Sequence, residues 1–313
     1  MARLIDYLIN DVREQTENED FSDNIGISDD EFLRYINEAQ QRIQARIYAQ
    51  HKHIFTEEET YSIVADQESY NIPADSFTGN AISQVEFKYT SDDKDYRPLE
   101  LRNLKNRSKA SGNPQFYIRK NKKFLISPVP SSSQGTLRLS YAKAVRRLDK
   151  RRGSIASFTD SGTQITALTL EVSSDSVDTT ATAKDNFLCI VGRDGTIKMK
   201  NIEYDSISGT TGVVTLTSNH TYESGETLAV GDYIVIGKNT STHSELPDHV
   251  ERYLLAYCAW KILKRDSSAD YSEQESELNQ MESEIVSTFG DIDDDIHLIP
   301  EINSDEVWFD TWQ

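Results

Sequence analysis

Six histidines, two cysteines and 52 carboxylates are the side chains of this 313-residue sequence that could carry reaction chemistry. Their spacing argues against most of it. His51 and His53 are two positions apart at a helix end, so they point in different directions, and neither a cysteine pair nor a Glu-x-x-His pattern joins them. Asp291-Ile-Asp293-Asp-Asp295 opens with the spacing of a calcium loop. However, the sixth position, where the turn needs glycine, is Ile296, and the twelfth, where a bidentate glutamate belongs, is Ile302. Cys258 follows the apolar side of a helical pattern next to Trp260, which fits a core thiol better than a nucleophile. Gly192-Arg-Asp-Gly195 is too short for a dinucleotide loop and has no helix after it. A carboxylate pair for glycoside hydrolysis cannot be singled out among so many acids. The sequence thus assigns no catalytic residue, metal or cofactor, and the chain is expected not to be an enzyme.

Charge carries more information. The formal net charge is −19, which excludes a generally basic nucleic-acid binder. It is very unevenly distributed: residues 94–152 hold 17 basic against 3 acidic side chains, whereas residues 266–313 hold 15 acids and no Lys or Arg. Blocks of opposite sign point to contact between copies or with a charged partner. Within the basic block, Arg119, Lys120, Lys122 and Lys123 fall at the turn of a hairpin, and Arg146, Arg147, Lys150, Arg151 and Arg152 follow the last strand. Three readings stand: an interface with an acidic protein surface, phosphate binding driven by counterion release, and a solvated face. The interface is favoured, because regularly placed aromatics for base stacking are missing among these bases. Trp308, Phe309 and Trp312 in the acidic C-terminal segment have the character of anchors that dock into pockets of another molecule.

The elements that must position these groups follow from hydrophobic periodicity. Leu4, Ile5, Leu8, Ile9 and Val12 predict a helix over residues 2–16. Ser28-Asp-Asp-Glu31 has the form of a capping box and opens a second helix to about Gln50, with Phe32, Ile36, Ala39, Ile43 and Ile47 inward and Arg34, Glu38, Arg42 and Arg46 outward. From His53 the period changes to two, as in Val85/Phe87, Phe124/Ile126 and Leu137/Leu139/Tyr141, predicting short antiparallel strands. Residues 153–242 are rich in Ser, Thr and Gly and read as an inserted small β-barrel or sandwich. A third helix starts after Pro247, and a fourth, about 269–289, stops at Gly290. The expectation is therefore an α+β fold. Residues 1–52 and 243–290 form a four-helix bundle from the two terminal helix pairs, 53–152 an antiparallel β unit with a basic surface, 153–242 the insertion, and 291–313 an acidic tail with aromatic anchors.

A hydrophobic content of 37% with mean hydropathy of −0.59 is that of a globular chain. No stretch approaches the roughly 18 apolar residues of a membrane span, so no membrane contact is expected. MARLIDYLINDVRE has acids inside its apolar run and reads as an amphipathic helix, not a signal peptide. Cys189 and Cys258, far apart in sequence, suit folding in a reducing cytoplasm.

The order of several short motifs resembles the head-to-tail adaptor (connector) proteins of tailed bacteriophages. The motifs are Ile27-Ser-Asp-Asp-Glu-Phe-Leu-Arg-Tyr-Ile-Asn-Glu-Ala-Gln-Gln-Arg42, Tyr70-Asn-Ile-Pro-Ala-Asp75, Pro98-Leu-Glu-Leu101, Gly112-Asn-Pro-Gln-Phe-Tyr117, Leu125-Ile-Ser-Pro-Val-Pro130, Gly135-Thr-Leu-Arg-Leu-Ser-Tyr141 and Leu246-Pro-Asp-His-Val-Glu-Arg-Tyr-Leu-Leu-Ala-Tyr257. The resemblance covers about 1–148 and 244–289. It implies a structural virion protein, assembled in the host cytoplasm, that forms a ring of copies, commonly twelve, between the portal protein and the tail nozzle. DNA would pass through the ring without specific binding, and acidic walls would let it slide. Glu203-Tyr-Asp-Ser-Ile-Ser-Gly209 with Gly231-Asp-Tyr-Ile-Val-Ile-Gly237 is similar to small β modules of phage tail-associated proteins, which implies contact of 153–242 with tail or fibre proteins. The alternatives are a cell-wall-degrading, muramidase-like accessory protein and a glycan-binding module in 153–242.

Overall fold

The computed structural model describes residues 3–16, 27–77, 82–89, 95–106, 110–171, 186–223, 225–264 and 272–294. Among these, four α-helices form one layer: α1 (Ile5–Gln15), α2 (Asp29–Gln50), α3 (Asp248–Leu263) and α4 (Ser272–Asp294). Ser28 caps α2 as its sequence predicts, its Oγ accepting from the Glu31 N–H at 3.3 Å. The apolar stripes of all four helices meet in one core, in which Ile5, Leu8, Phe32, Ile36, Ile43, Ile47, Val250 and Leu254 are fully or almost fully buried.

The β unit consists of two four-stranded sheets. One orders its strands β1-β8-β3-β4, with β1 (Thr56–Ser62), β3 (Ile82–Lys88), β4 (Arg97–Pro98) and β8 (Thr136–Ala142). The other runs β2-β7-β6-β5, with β2 (Ser69–Asn71), β5 (Glu100–Leu101), β6 (Phe116–Lys120) and β7 (Lys123–Ser127). Inward side chains of both sheets share a second core. In it the rings of Tyr61, Tyr70 and Phe124 lie 5.7–5.8 Å apart.

Residues 153–241 build a third module from β10 (Gly153–Asp160), β11 (Gln164–Leu170), β12 (Phe187–Val191), β13 (Ile197–Ile207), β14 (Val213–Leu216), β15 (His220–Thr221) and β16 (Tyr233–Ile236). The sheet order β10-β16-β12-β13-β14-β11 closes on itself through pairing of β10 with β11, giving a six-stranded barrel, and β15 extends the end of β11. Its interior is filled by Ile155, Ile165, Leu168, Leu188, Ile190, Met199, Ile202, Tyr204 and Ile234, so the barrel is a packed core and not a ligand cup.

This architecture corrects the expected fold class. A four-helix bundle carrying an antiparallel unit and a small insertion would be dominated by helix. The described residues are 29% helical and 37% strand, with a closed barrel. The physical reason is that a short strand produces a weak sequence signal, while barrel closure depends on pairings such as β11 with β14 that periodicity does not encode. Gly290 also fails to stop α4, which continues to Asp294, because glycine permits a helix end without imposing one.

A short stem joins the modules. β9 (Arg147–Leu148), on the way into the barrel, pairs in parallel with β17 (Thr240–Ser241), on the way out. The stem lies on α2, where three amide side chains satisfy its backbone. Asn37 donates to the Leu148 carbonyl at 2.8 Å and accepts from the Leu148 N–H at 2.7 Å. Gln40 donates to the Arg146 carbonyl at 2.6 Å and accepts from Ser244 Oγ at 3.2 Å. Gln44 donates to the Lys143 carbonyl at 2.7 Å and accepts from the Val145 N–H at 3.1 Å. All three are buried. Next to the stem, His243 packs on Gly195 of the barrel; at φ +89° a Cβ there would sit 2.9 Å from the His243 Cγ.

Replacing Asn37 by alanine strands the buried Leu148 N–H and removes a partner from its carbonyl. Asn37→Ala should therefore lower stability by about 1–3 kcal/mol, read as a reduced urea midpoint; an unchanged midpoint would show that the amide is not needed to satisfy the stem. A second expectation concerns pH. Burial holds the His243 pKa below its ordinary value, against the opposing pull of Asp194, Glu251 and Asp6. The unfolded chain then takes up this proton near pH 6.5 while the native state still resists it, so stability is intact above about pH 6.5 and declines as pH falls. His243→Gln should flatten that decline below about pH 6.5, and equal slopes for the two proteins would refute it.

Candidate assembly surface

The two halves of the basic block have different fates. Residues 146–152 follow the stem along the acidic start of α2. Arg146 pairs with Glu245, and the Arg146 N–H donates to the second Glu245 oxygen at 2.8 Å. Lys150 Nζ lies 3.2 Å from Asp29, and Arg152 lies 2.8 Å from Asp149 and 3.7 Å from Asp30. Arg151 is exposed with its guanidinium 5.6 Å from the centre of the Tyr233 ring, and Arg147 is exposed on β9. Three of these five bases thus form ion pairs with acids of the same chain, and the charge of Arg151 also acts on Asp6 of α1.

The hairpin half is different. β6 and β7 join through Asn121, whose φ of 53° is the left-handed conformation that a tight turn requires and asparagine tolerates. The Lys122 carbonyl accepts from the Ile72 N–H at 2.9 Å, which fixes the turn against the end of β2. Arg119 is half-buried and donates to the Ile82 carbonyl. Lys120 and Lys123 face each other directly across the strand pair, and with Lys122 they are exposed. Among the described residues no ion pair neutralises any of the three. Like charges placed directly opposite one another destabilise an antiparallel pair. The three lysines, Ser69, Leu125 and the single carboxylate of Glu68 surround a shallow hollow of about 570 Å³.

A larger groove of about 890 Å³ lies between β1 with the 71–77 segment and the barrel residues Lys200 and Asn201 of β13 and Asn239 before β17. Two of its acids are engaged within the subunit. Tyr141 donates to Asp75 at 3.1 Å, and Lys143 lies 3.0 Å from Glu57. Burial pushes the Tyr61 hydroxyl up to about 12, and burial with the nearby Asp75 raises Tyr141 as well, so both stay protonated donors. Asn201 and Asn239 bond each other across the barrel wall at 2.9 and 3.2 Å.

Cys258 is fully buried, and burial pushes its thiol up to about 12, which leaves no thiolate for chemistry. Among the described residues no three His, Cys, Asp or Glu side chains are grouped closely enough to hold a metal ion. No helix among the described residues is long and apolar enough to cross a membrane. Trp308, Phe309 and Trp312 lie outside the described residues, as do the side chains of the Asp291–Asp295 motif.

The sequence reading passed over the residues that unite the helices with the stem. Asn37, Gln40 and Gln44 were assigned to no role, although their positions border the Ile36/Ala39/Ile43 stripe, and amides at such positions are the available signal. Arg42 and Arg46, read as solvent-facing, reach Glu282 of α4 at 2.6 and 3.4 Å, and this buried carboxylate also accepts from Tyr253 at 2.7 Å.

Helical layer, stem and β modules with an exposed lysine hairpin are the surfaces that the described residues present. Residues 4–151 match the model of the SU10 adaptor protein family, and the resemblance to a phage head-to-tail adaptor is thereby supported. The family is a structural one, of virion components. The match ends just before the barrel begins and includes neither the barrel nor α3 and α4. No curated protein matches the chain.

If the facing lysines are electrostatically strained, Lys120→Glu should stabilise the isolated protein by about 0.2–1 kcal/mol through a new cross-strand pair with Lys123. A lower thermal midpoint for this variant would contradict the strain.

Proposed function

We propose that this protein is a structural component of a tailed-phage virion that assembles as a ring beneath the portal, lengthens the DNA channel and presents a platform for the tail nozzle. The match of residues 4–151 to the adaptor family carries the reading. Surface charge agrees with it. The exposed lysine hairpin and Arg147 suit protein contacts, whereas an acidic wall lining the channel would repel DNA and let it slide. The closed barrel, rigid and attached through a two-strand stem, suits contact with tail or fibre proteins. The acidic segment 295–313, with Trp308, Phe309 and Trp312, serves as an anchor on a neighbouring molecule.

Mixing the protein with its portal should give a closed ring of adaptor copies, visible by native mass spectrometry and electron microscopy. Failure to join the portal under conditions where both are folded would overturn the reading, as would a ring whose lumen is lined by Lys120, Lys122, Lys123 and Arg151. Deleting 295–313 should leave the circular dichroism spectrum of the isolated chain unchanged and weaken ring formation at least tenfold in concentration; undiminished assembly would reject the anchoring role.

A further inference from the structure

The hairpin breaks a local rule with no compensation among the described residues. Lys120 opposes Lys123 in register, Lys122 stands between them at the turn, and among the described residues no carboxylate pairs with any of the three. The backbone of the turn is nevertheless fixed, by the left-handed Asn121 and by the bond from the Ile72 N–H to the Lys122 carbonyl. A rigidly presented cluster of like charge is where a sequence sacrifices local stability for binding. The hollow it rims is not purely ionic. Leu125 and the methylene stems of the lysines supply apolar surface, and a volume of about 570 Å³ accommodates one or two aromatic side chains. The matching ligand is an acidic peptide bearing aromatics. A bare phosphate backbone would leave the apolar floor unused, and the hollow's lining contains no aromatic ring on which a base could stack.

This chain contains such a peptide. Residues 295–313 include five carboxylates, no Lys or Arg, and Trp308, Phe309 and Trp312 within five positions. Asp305, Glu306 and Asp310 flank these aromatics, so an aromatic seated in the hollow brings acids to the lysine rim. The segment starts where α4 ends, and its 19 residues can span up to roughly 60 Å when extended. We propose that the Lys120/Lys122/Lys123 hollow is the receptor for the acidic, aromatic C-terminal segment of a neighbouring copy, so that each copy in the ring holds the next by this strap. The inference rests on the ring reading above and adds to it which two surfaces meet.

Carbodiimide joins a carboxylate to a lysine only where the two are in contact, so it tests this pairing directly. Rings assembled on the portal from an equal mixture of ¹⁵N-labelled and unlabelled full-length chains would be treated with the reagent, digested and analysed by mass spectrometry. The expected products join Lys120, Lys122 or Lys123 to Asp305, Glu306 or Asp310, with about half of them of mixed isotope composition. Products of a single isotope composition would show that the segment folds back on its own subunit, and products joining the lysines only to portal carboxylates would assign the hollow to the portal; either result overturns the strap. The triple variant K120E/K122E/K123E, its fold checked by an unchanged circular dichroism spectrum, should need at least tenfold more protein to form rings on the portal, and undiminished assembly would overturn the strap. Rings that form normally from wild-type chains but lack the cross-link would refute the strap and leave the adaptor reading standing, whereas absence of any ring from wild-type chains would refute both.

Discussion

A peptide chain that crosses the face of a helix must find partners for its N–H and C=O groups, because the helix has already used its own. In this protein that constraint falls on residues 143–148, where the chain leaves the β unit and heads for the barrel. Asn37, Gln40 and Gln44 meet it with the fixed geometry of carboxamides: Asn37 and Gln44 each offer a donor and an acceptor to this segment, and Gln40 offers its donor. Much else depends on this clamp. It sets the height of the stem above α2, the stem sets where β17 runs, and β17 delivers His243, Ser244 and Leu246 to the start of α3. The Gln40 contact with Ser244 makes the dependence explicit, since one amide touches the chain both before and after the barrel.

The same placement decides which bases are available. With 146–152 clamped along α2, Arg146, Lys150 and Arg152 meet Glu245, Asp29, Asp149 and Asp30, and their charge is spent within the subunit. The hairpin of β6 and β7 stands outside the reach of these acids. A block that is uniformly basic in sequence is thus divided in space into a part that joins modules and a part that remains outward. Formal charge along a chain reports supply; only the fold decides what is consumed.

What could be read from the sequence follows the range of the interactions concerned. α2 was legible because its cap at Ser28 and its apolar stripe are local. The strand pairs containing Phe124/Ile126 and Leu137/Leu139/Tyr141 were legible because alternation is local as well. Closure of the barrel was not, since it depends on β10 meeting β11 and β16 together, and the balance of helix and strand was misjudged with it. The contribution of Arg146 was hidden because Glu245 is about a hundred positions away, and the Asn37–Gln44 amides were hidden because their polarity suggests solvent. For the candidate site, the sequence located the lysines of the hairpin turn, but it could not show that two of them face each other unpaired, which is a matter of register.

The parallel pairing of β9 with β17 places the entrance and exit of the barrel on adjacent rungs, both resting on α2. Everything between residues 149 and 239 therefore begins and ends at nearly the same point in space. Because the two strands run parallel, whatever joins them must cross back from the end of one to the start of the other, which a tight turn cannot do and a folded module can. The stem works as a socket: it holds both ends of the barrel against α2, so the barrel is attached to the helical layer at a single place.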